Sequence, residues 1–488
     1  MDDLQKILHY KGRRDFLRGS ALGLGSIALN SLLGCKGGPA PAAQGMPFAE
    51  DVNRPLVHPH FMPKARRIIY LFQSGGPSQM ELFDYKPKLY EMHGQEIPES
   101  VIGKNRISGM VSNQYSFPLA KPAAVFSRQG SGGTWLSDLI PHTASVIDDL
   151  CVVRSMFTEQ INHEPAVMFT QTGNQLSGRP CIGSWLSYGL GSMNENLPSF
   201  IVMLSKGGGD QPISSAAWSN GFLPSYHQGV QFMSTQDPVP FLNNPAGIDR
   251  MDRRRALDFI SRIDRLQNET WHDPEVESQI NQHEMAYRMQ MAIPSITDLS
   301  DEPKHILDMY GDDVLKPGTF AHNCIIARRL AERDVRFVQL YHLGWDHHGA
   351  LMSGIRNATR QTDQASAALV KDLKQRGLLD DTLVIWGGEF GRTSFCQGKL
   401  TPEAFGRDHH PGAYTIWMAG GGTKAGLVYG ETDDFAHNVV SNKVHVHDFQ
   451  ATLMYLMGID HEKFIYKTQG RRYRLTDVAG TVNHDLIA

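Results

Sequence analysis

The pattern that most limits the fold of this chain is an alternation of short apolar runs with helical segments. Runs rich in β-branched and aromatic residues at 67–73, 150–154, 200–204, 335–341, 382–386 and 414–418 are separated by helical periodicity at 166–172, 252–266, 274–291, 321–332, 359–375 and 447–457. A short, uniformly apolar run suits a strand covered on both faces, and strands joined through helices pair in parallel. The expected fold class is α/β, with a central, mostly parallel sheet and helices on both faces. At 488 residues and 41% apolar content the chain can bury a large core, as one domain with insertions or as two ordinary domains. We read 56–488 as one α/β domain. The stretch 210–245, rich in Gly, Ser, Pro and Asn, is a long loop insertion of the kind often used as a lid or binding loop.

The first residues are set apart from the fold. Gly12-Arg13-Arg14-Asp15-Phe16-Leu17-Arg18 precedes a weakly apolar stretch diluted by Gly, Ser and Asn, which gives 1–34 the layout of a twin-arginine signal peptide. That stretch is shorter than the roughly 20 apolar residues of a membrane span. Leu32-Leu33-Gly34-Cys35 resembles a lipobox with Cys35 as the lipidated residue, although a Gly-Cys pair also arises by chance in signal peptides; 36–55 is a Gly, Pro and Ala rich linker. The expected partner in export is the twin-arginine translocation machinery, the expected location periplasmic, and any membrane contact is through the signal or a lipid on Cys35. A formal net charge of -4 and no basic run after the signal give no reason to propose nucleic acid.

In open parallel sheets ligands bind beyond the carboxyl ends of the strands, and polar clusters fall at such places here. After 335–341 comes His342-Leu343-Gly344-Trp345-Asp346-His347-His348-Gly349, which can put two ligands on one metal in a tight turn and is equally a solvated histidine loop. After 382–386 comes Gly387-Gly388-Glu389-Phe390-Gly391-Arg392-Thr393. Glu389 there is an oxygen ligand or a base and Arg392 a fork for a tetrahedral oxyanion, or the two form a plain ion pair at a turn. Ahead of 414–418, Gly406-Arg407-Asp408-His409-His410-Pro411-Gly412 repeats the same composition. Asn162-His163-Glu164 opens a predicted helix, where Asn162 is also a natural cap and Glu164 a first-turn carboxylate favoured by the helix dipole. Asp448, in His445-Val446-His447-Asp448, is read as a cap of the last helix. Besides Cys35 the cysteines are Cys151, Cys181, Cys324 and Cys396, with no C-x-x-C pair, which disfavours a thiolate zinc site; the 21 histidines are where chemistry is sought.

The ordered set Ser74-Gly75-Gly76-Pro77-Ser78-Gln79, Gly344-Trp345-Asp346-His347-His348-Gly349, Gly387-Gly388-Glu389-Phe390-Gly391-Arg392-Thr393, Gly406-Arg407-Asp408-His409-His410-Pro411 and His447-Asp448-Phe449-Gln450-Ala451-Thr452-Leu453 resembles a bacterial family. It is the sulfatase-like domain-of-unknown-function family fifteen-oh-one. The resemblance implies an alkaline-phosphatase-like three-layer sandwich, twin-arginine export, and a superfamily that hydrolyses phosphate and sulfate esters with divalent metals. It makes Asp346 and His348 the first ligand pair, Glu389 a later acidic ligand and His409 the late histidine ligand. The clusters themselves add His163, His347, Asp408 and His410 as further candidates.

Two departures accompany the match. No C/S-x-P-x-R segment follows the first strand, so no formylglycine is expected. The acidic ligand that phosphatases of the superfamily carry at the end of that strand is missing, with Glu81 or Asp84 as substitutes; Ser78 is the nucleophile candidate and also a natural turn hydroxyl or helix cap. Imidazole and carboxylate ligands favour Zn or Mn over Ca, and Arg392 and Arg407 would stabilise charge on the ester oxygens. The expected activity is metal-dependent hydrolysis of phosphate or sulfate esters, of a small molecule or a glycan. The alternatives are a catalytically silent protein that binds an anionic glycan and an envelope scaffold.

Overall fold

The structure is a computed structural model that describes residues 53–103, 107–205, 213–233, 235, 238–239, 244–245 and 247–488. The signal at 1–34, Cys35 and most of the 36–55 linker lie outside the described residues. In chain order the main elements are β1 Arg67–Ser74, β2 Leu150–Phe157, α1 His163–Thr172, α2 Ile182–Leu190, β3 Phe200–Ser205, β4 Val230–Phe232, α3 Arg250–Trp271, α4 Pro274–Ala292, α5 Phe320–Glu332, β5 Phe337–Leu343, α6 Leu351–Gln375, β6 Thr382–Gly387, β7 Gly391–Arg392, β8 His409–His410, β9 Tyr414–Ala419, β10 Val428–Tyr429, β11 Val444–His445 and α7 Val446–Leu456.

A nine-stranded sheet runs in the order β10-β2-β9-β6-β1-β5-β3-β4, with β11 also paired to β2. β1 is parallel to both β5 and β6, and β3 is parallel to both β5 and β4. Among the described strands of this sheet, only β9 runs against its neighbours, β2 and β6. All eight residues of β1 are buried because both faces are covered. Ile69 and Leu71 join the core beneath α5 and α6, while Ile68, Tyr70 and Phe72 join the core beneath α1, α2 and α7. The result is a three-layer α/β sandwich, as expected. No described helix is long and apolar enough to cross a membrane.

The strand runs end within a few residues of their expected limits. β2 continues to Phe157, and β5 starts at Phe337 because Asp334 turns the chain with a positive φ. α6 begins at Leu351, ahead of the expected 359, since the Gly354 and Asn357 that dilute its pattern are tolerated where Ile355 and Ala358 face the core and Leu351 packs with Ala120, Cys396 and Phe405. α2 was not expected; its buried face carries Trp185 and Leu186. Within 210–245 the described residues form short 3-10 turns at Ser215–Trp218 and Ser225–His227, and then β4, which extends the sheet edge.

Candidate metal centre

The direction of the strands gathers the loops. β1, β2, β5 and β6 all end at one edge of the sheet, and antiparallel β9 begins there, so the segment ahead of it reaches the same edge as the loops that follow the others. Two glycines permit the loops to close on one another. A Cβ on Gly75, at φ +116°, would lie 2.5 Å from the Asp346 backbone nitrogen, and one on Gly406 would lie 2.0 Å from the His348 carbonyl carbon.

Four residues from three segments of the chain meet there: His163 at the start of α1, Asp346 and His348 in the loop after β5, and His409 in β8, with ligand atoms all within 4.8 Å of one another. Asp346 is the hub. Its Oδ2 lies 3.2 Å from His163 Nε2, and its Oδ1 lies 2.8 Å from His348 Nε2 and 3.3 Å from His409 Nε2. Each imidazole is oriented from behind through Nδ1. His409 Nδ1 donates to the Ile161 carbonyl at 2.8 Å, His348 Nδ1 to Gln397 Oε1 at 2.6 Å, and His163 Nδ1 to Glu389 Oε1 at 2.6 Å. With the proton fixed at Nδ1, the Nε2 lone pair of each ring faces the others. The Nε2 atoms of His163 and His348 are buried and find no polar partner beyond Asp346, which leaves both nitrogens available to an ion at this point. Three imidazoles and one carboxylate are a donor set that fits a divalent transition metal such as Zn.

Glu389 stands behind this group. It is fully buried and accepts from His163 and from the Gly75 N–H at 3.0 Å, so its contacts are those of a carboxylate supporting a ligating histidine. Burial works to raise the Asp346 carboxyl, but the bonds from His163, His348 and His409 and the Arg392 charge overcome it and hold Asp346 far below the usual carboxylate range. For His163, burial works downward but Asp346 and Glu389 prevail and raise it to about 9.

The two arginines are occupied. Arg407 is fully buried, with its guanidinium on both Glu81 oxygens at 2.7 to 3.1 Å and on the carbonyls of Thr393, Ser394 and Ala120, which uses all five N–H groups. Arg392 ties the carbonyls of Gly75, Gly76, Trp345 and Arg407 together and reaches Asp346 Oδ1 at 2.6 Å. The role expected for Arg407 on ester oxygens therefore has no donor left to serve it, and Arg392 acts on the loops and on Asp346.

The remaining candidates lie outside the four-residue group. Ser78 donates its hydroxyl to Glu81, inside the same buried network as Arg407. Asp84 is fully buried and holds Thr432, Lys86 at 3.3 Å and Arg154 at 3.8 Å. Asp408 accepts from Ser108 and from the His409 backbone N–H. His410 stacks on His437 at 3.8 Å and bonds its carbonyl, and burial lowers its pKa to about 4. Burial, helped by Arg392, likewise lowers His347 to about 4. Asn162 is the N-cap residue of α1 without a side-chain bond, whereas Asp448 caps α7 through the His445 N–H at 3.1 Å. Sequence reasoning missed Gln397 and the Ile161 carbonyl, because nothing local marks an amide or a carbonyl as the support of a distant ring. Cys151, Cys181, Cys324 and Cys396 are all free and buried.

The family described as "Protein of unknown function (DUF1501)" matches residues 65–487. The chain belongs to this family. Several solved structures show similarity to this DUF1501 protein. A PsFucS1 sulfatase from Pseudoalteromonas sp. is 12% identical with a TM-score of 0.32, covering 82% of this chain and 68% of that one. A protein in the alkaline phosphatase superfamily from Vibrio parahaemolyticus is 11% identical with a TM-score of 0.32, covering 84% and 74%. The TAB5 alkaline phosphatase is 9% identical with a TM-score of 0.30, covering 75% and 94%. No curated protein matches the sequence. At these identities the roles of individual residues rest on the chain's own geometry.

Proposed function

We propose that this DUF1501 protein is a metal-dependent hydrolase of phosphate or sulfate esters. The observation that carries the reading is the convergence of His163, Asp346, His348 and His409, with each imidazole held by a separate partner so that Nε2 faces inward. These four residues would hold a divalent metal, Zn or Mn before Ca, with Glu389 behind His163. Such an ion polarises an ester oxygen and lowers the pKa of a bound water.

The chain's own residues do the rest. Glu389 keeps the proton on His163 Nδ1, and the Ile161 carbonyl does the same for His409. Arg392 fixes the β1 loop against Asp346. Because the Ser78 hydroxyl is committed to Glu81, we take water as the nucleophile and Ser78 as a support of the buried Glu81–Arg407 network. The envelope location follows from the signal-like segment 1–34 alone, with export through the twin-arginine machinery and Cys35 as the lipid site.

Metal content measured by elemental mass spectrometry, beside an Asp346→Ala/His409→Ala variant, tests the reading. Near-stoichiometric Zn or Mn that vanishes in the variant, with turnover of a phosphate, phosphonate or sulfate ester by the loaded protein, is the expected result. Metal without any ester turnover would sink the hydrolase reading and leave a silent binding protein; no metal even after reconstitution would leave the scaffold.

A further inference from the structure

The segment between β7 and β8 reaches both His348 and a cavity of its own. Gln397 and Gly406 bond each other's backbone in both directions, at 2.9 and 3.2 Å, and pinch residues 398–405 into a loop with a narrow neck. The neck holds His348: Gln397 Oε1 accepts from His348 Nδ1 at 2.6 Å, and Gly406 packs against the His348 backbone with no room for a side chain. Within the loop, the Ala404 and Phe405 carbonyls accept the Ala350 and Leu351 N–H groups at 3.2 and 3.0 Å.

A cavity of ≈ 320 Å³ lies against this loop, at the lower end of the range of about 300–1,000 Å³ typical of ligand sites. At the ~30 Å³ share of a water molecule it has room for about ten water-sized groups. Leu400, Pro402 and Phe405 of the loop line it with Pro122, Ala123 and Met352, and no residue of the metal group does. On such a surface an apolar body gains by leaving water. The polar lining groups left without a partner can all donate. His93 Nδ1 accepts the Lys121 N–H at 3.2 Å, which leaves the ring proton on Nε2, and neither that nitrogen nor the Lys121 ammonium nor the Thr401 hydroxyl has a partner among the described residues.

We propose that this cavity binds a compact apolar carboxylate of about ten carbons, and that its occupant stiffens the loop that holds His348. The surrounding charges agree with an anion. Glu91 pairs with Lys88 at 3.1 Å, Asp138 accepts the Val125 N–H at 3.0 Å, and Glu403 is exposed on the loop together with Lys399; none of these carboxylates lines the cavity. Arg407 sits over the Phe405 ring at 5.8 Å but is paired with Glu81 at 2.7 Å. An ion at His348 would add positive charge, in the same direction. An occupant packed on Phe405 and Leu400 orders the loop, so the carboxylate and a metal at His348 should each tighten the binding of the other. This coupling rests on the metal group of the proposed function but not on ester hydrolysis.

Calorimetric titration of the full chain, metal-free and zinc-loaded, with naphthoate and with naphthylmethylammonium compares one apolar body under two charges. Naphthoate should bind tighter by about fivefold or more, the effect of one unit charge at about 4 Å in water. Lys121→Gln, at an exposed position, should bring the two to within about twofold. Ala123→Phe, at a half-buried position, should fill the cavity and abolish binding of both. Saturating naphthoate should slow hydrogen exchange of the Ala350 and Leu351 amides and tighten zinc binding, by about fivefold or more each. The ammonium binding as tightly as the carboxylate, affinities that Lys121→Gln or Ala123→Phe leaves unchanged, or naphthoate binding that moves neither the two amides nor the zinc affinity would overturn the inference. A chain that takes up no zinc fails the metal reading, and binding and exchange on the metal-free protein still decide this one. A chain that binds zinc and naphthoate but cleaves no ester fails only the hydrolase reading.

Discussion

Replacing Glu389 by Gln separates a metal ligand from the support of one. Glu389 Oε1 lies 2.6 Å from His163 Nδ1 and 3.0 Å from the Gly75 nitrogen, and the residue is fully buried. Glutamine keeps the shape and an acceptor for both donors and removes only the charge. A hydrogen bond to a charged group contributes about 1.5–3 kcal/mol against about 0.5–1.5 for a neutral one, so the loss is on the order of 1–1.5 kcal/mol. That corresponds to roughly tenfold in affinity for zinc, at the low end of the range of about 10–100-fold for such supporting residues. The assay is competition for zinc against a chromophoric chelator. It belongs above pH ~9, because Asp346 and Glu389 raise His163 to about 9 and below that value the metal must also displace its proton. An affinity equal to that of the unaltered protein would refute the supporting role. A loss as large as that of His163→Ala would instead make Glu389 a direct ligand.

Further predictions follow from the same geometry. Gly75→Ala and Gly406→Ala should each lower zinc occupancy by displacing Asp346 or His348, whose backbones lie within 2.5 Å of the added carbon; elemental analysis after dialysis checks this. Arg407→Ala leaves Glu81 charged and unpaired in the interior and should cost about 3–5 kcal/mol in denaturant unfolding. The acid limb of stability should come from buried neutral histidines. Burial lowers His342 to about 3 and His410 to about 4 from 6.5, so each contributes stability that is fully present above pH 6.5 and lost as pH falls towards its folded value. The slope is about 1.4 kcal/mol per pH unit for each group, and unfolding midpoints of His342→Gln should show a shallower decline; an unchanged slope would count against the assignment. Ser78→Ala should retain zinc and most ester turnover if water is the nucleophile, which steady-state kinetics would read directly.

The sequence by itself determined the strands, the class of fold, the family and the loops in which chemistry would lie. Those features are local: an apolar run buried on both faces, or glycines around histidine and a carboxylate, reads the same wherever the chain goes next. Only the tertiary structure decided which residues meet. His409 precedes β9 while Asp346 and His348 follow β5, and they share a site because β9 runs antiparallel to β6. His163, ambiguous as the start of a helix, joins them because β2 lies beside β9. Arg392, Arg407 and Glu389 carry the residue types of a catalytic site, yet their partners are backbone groups and side chains supplied by remote segments of the chain. Strand direction and the saturation of a donor are set by non-local pairing, because a buried polar group takes its partner from whichever segment packs against it, and no stretch of sequence carries that information alone.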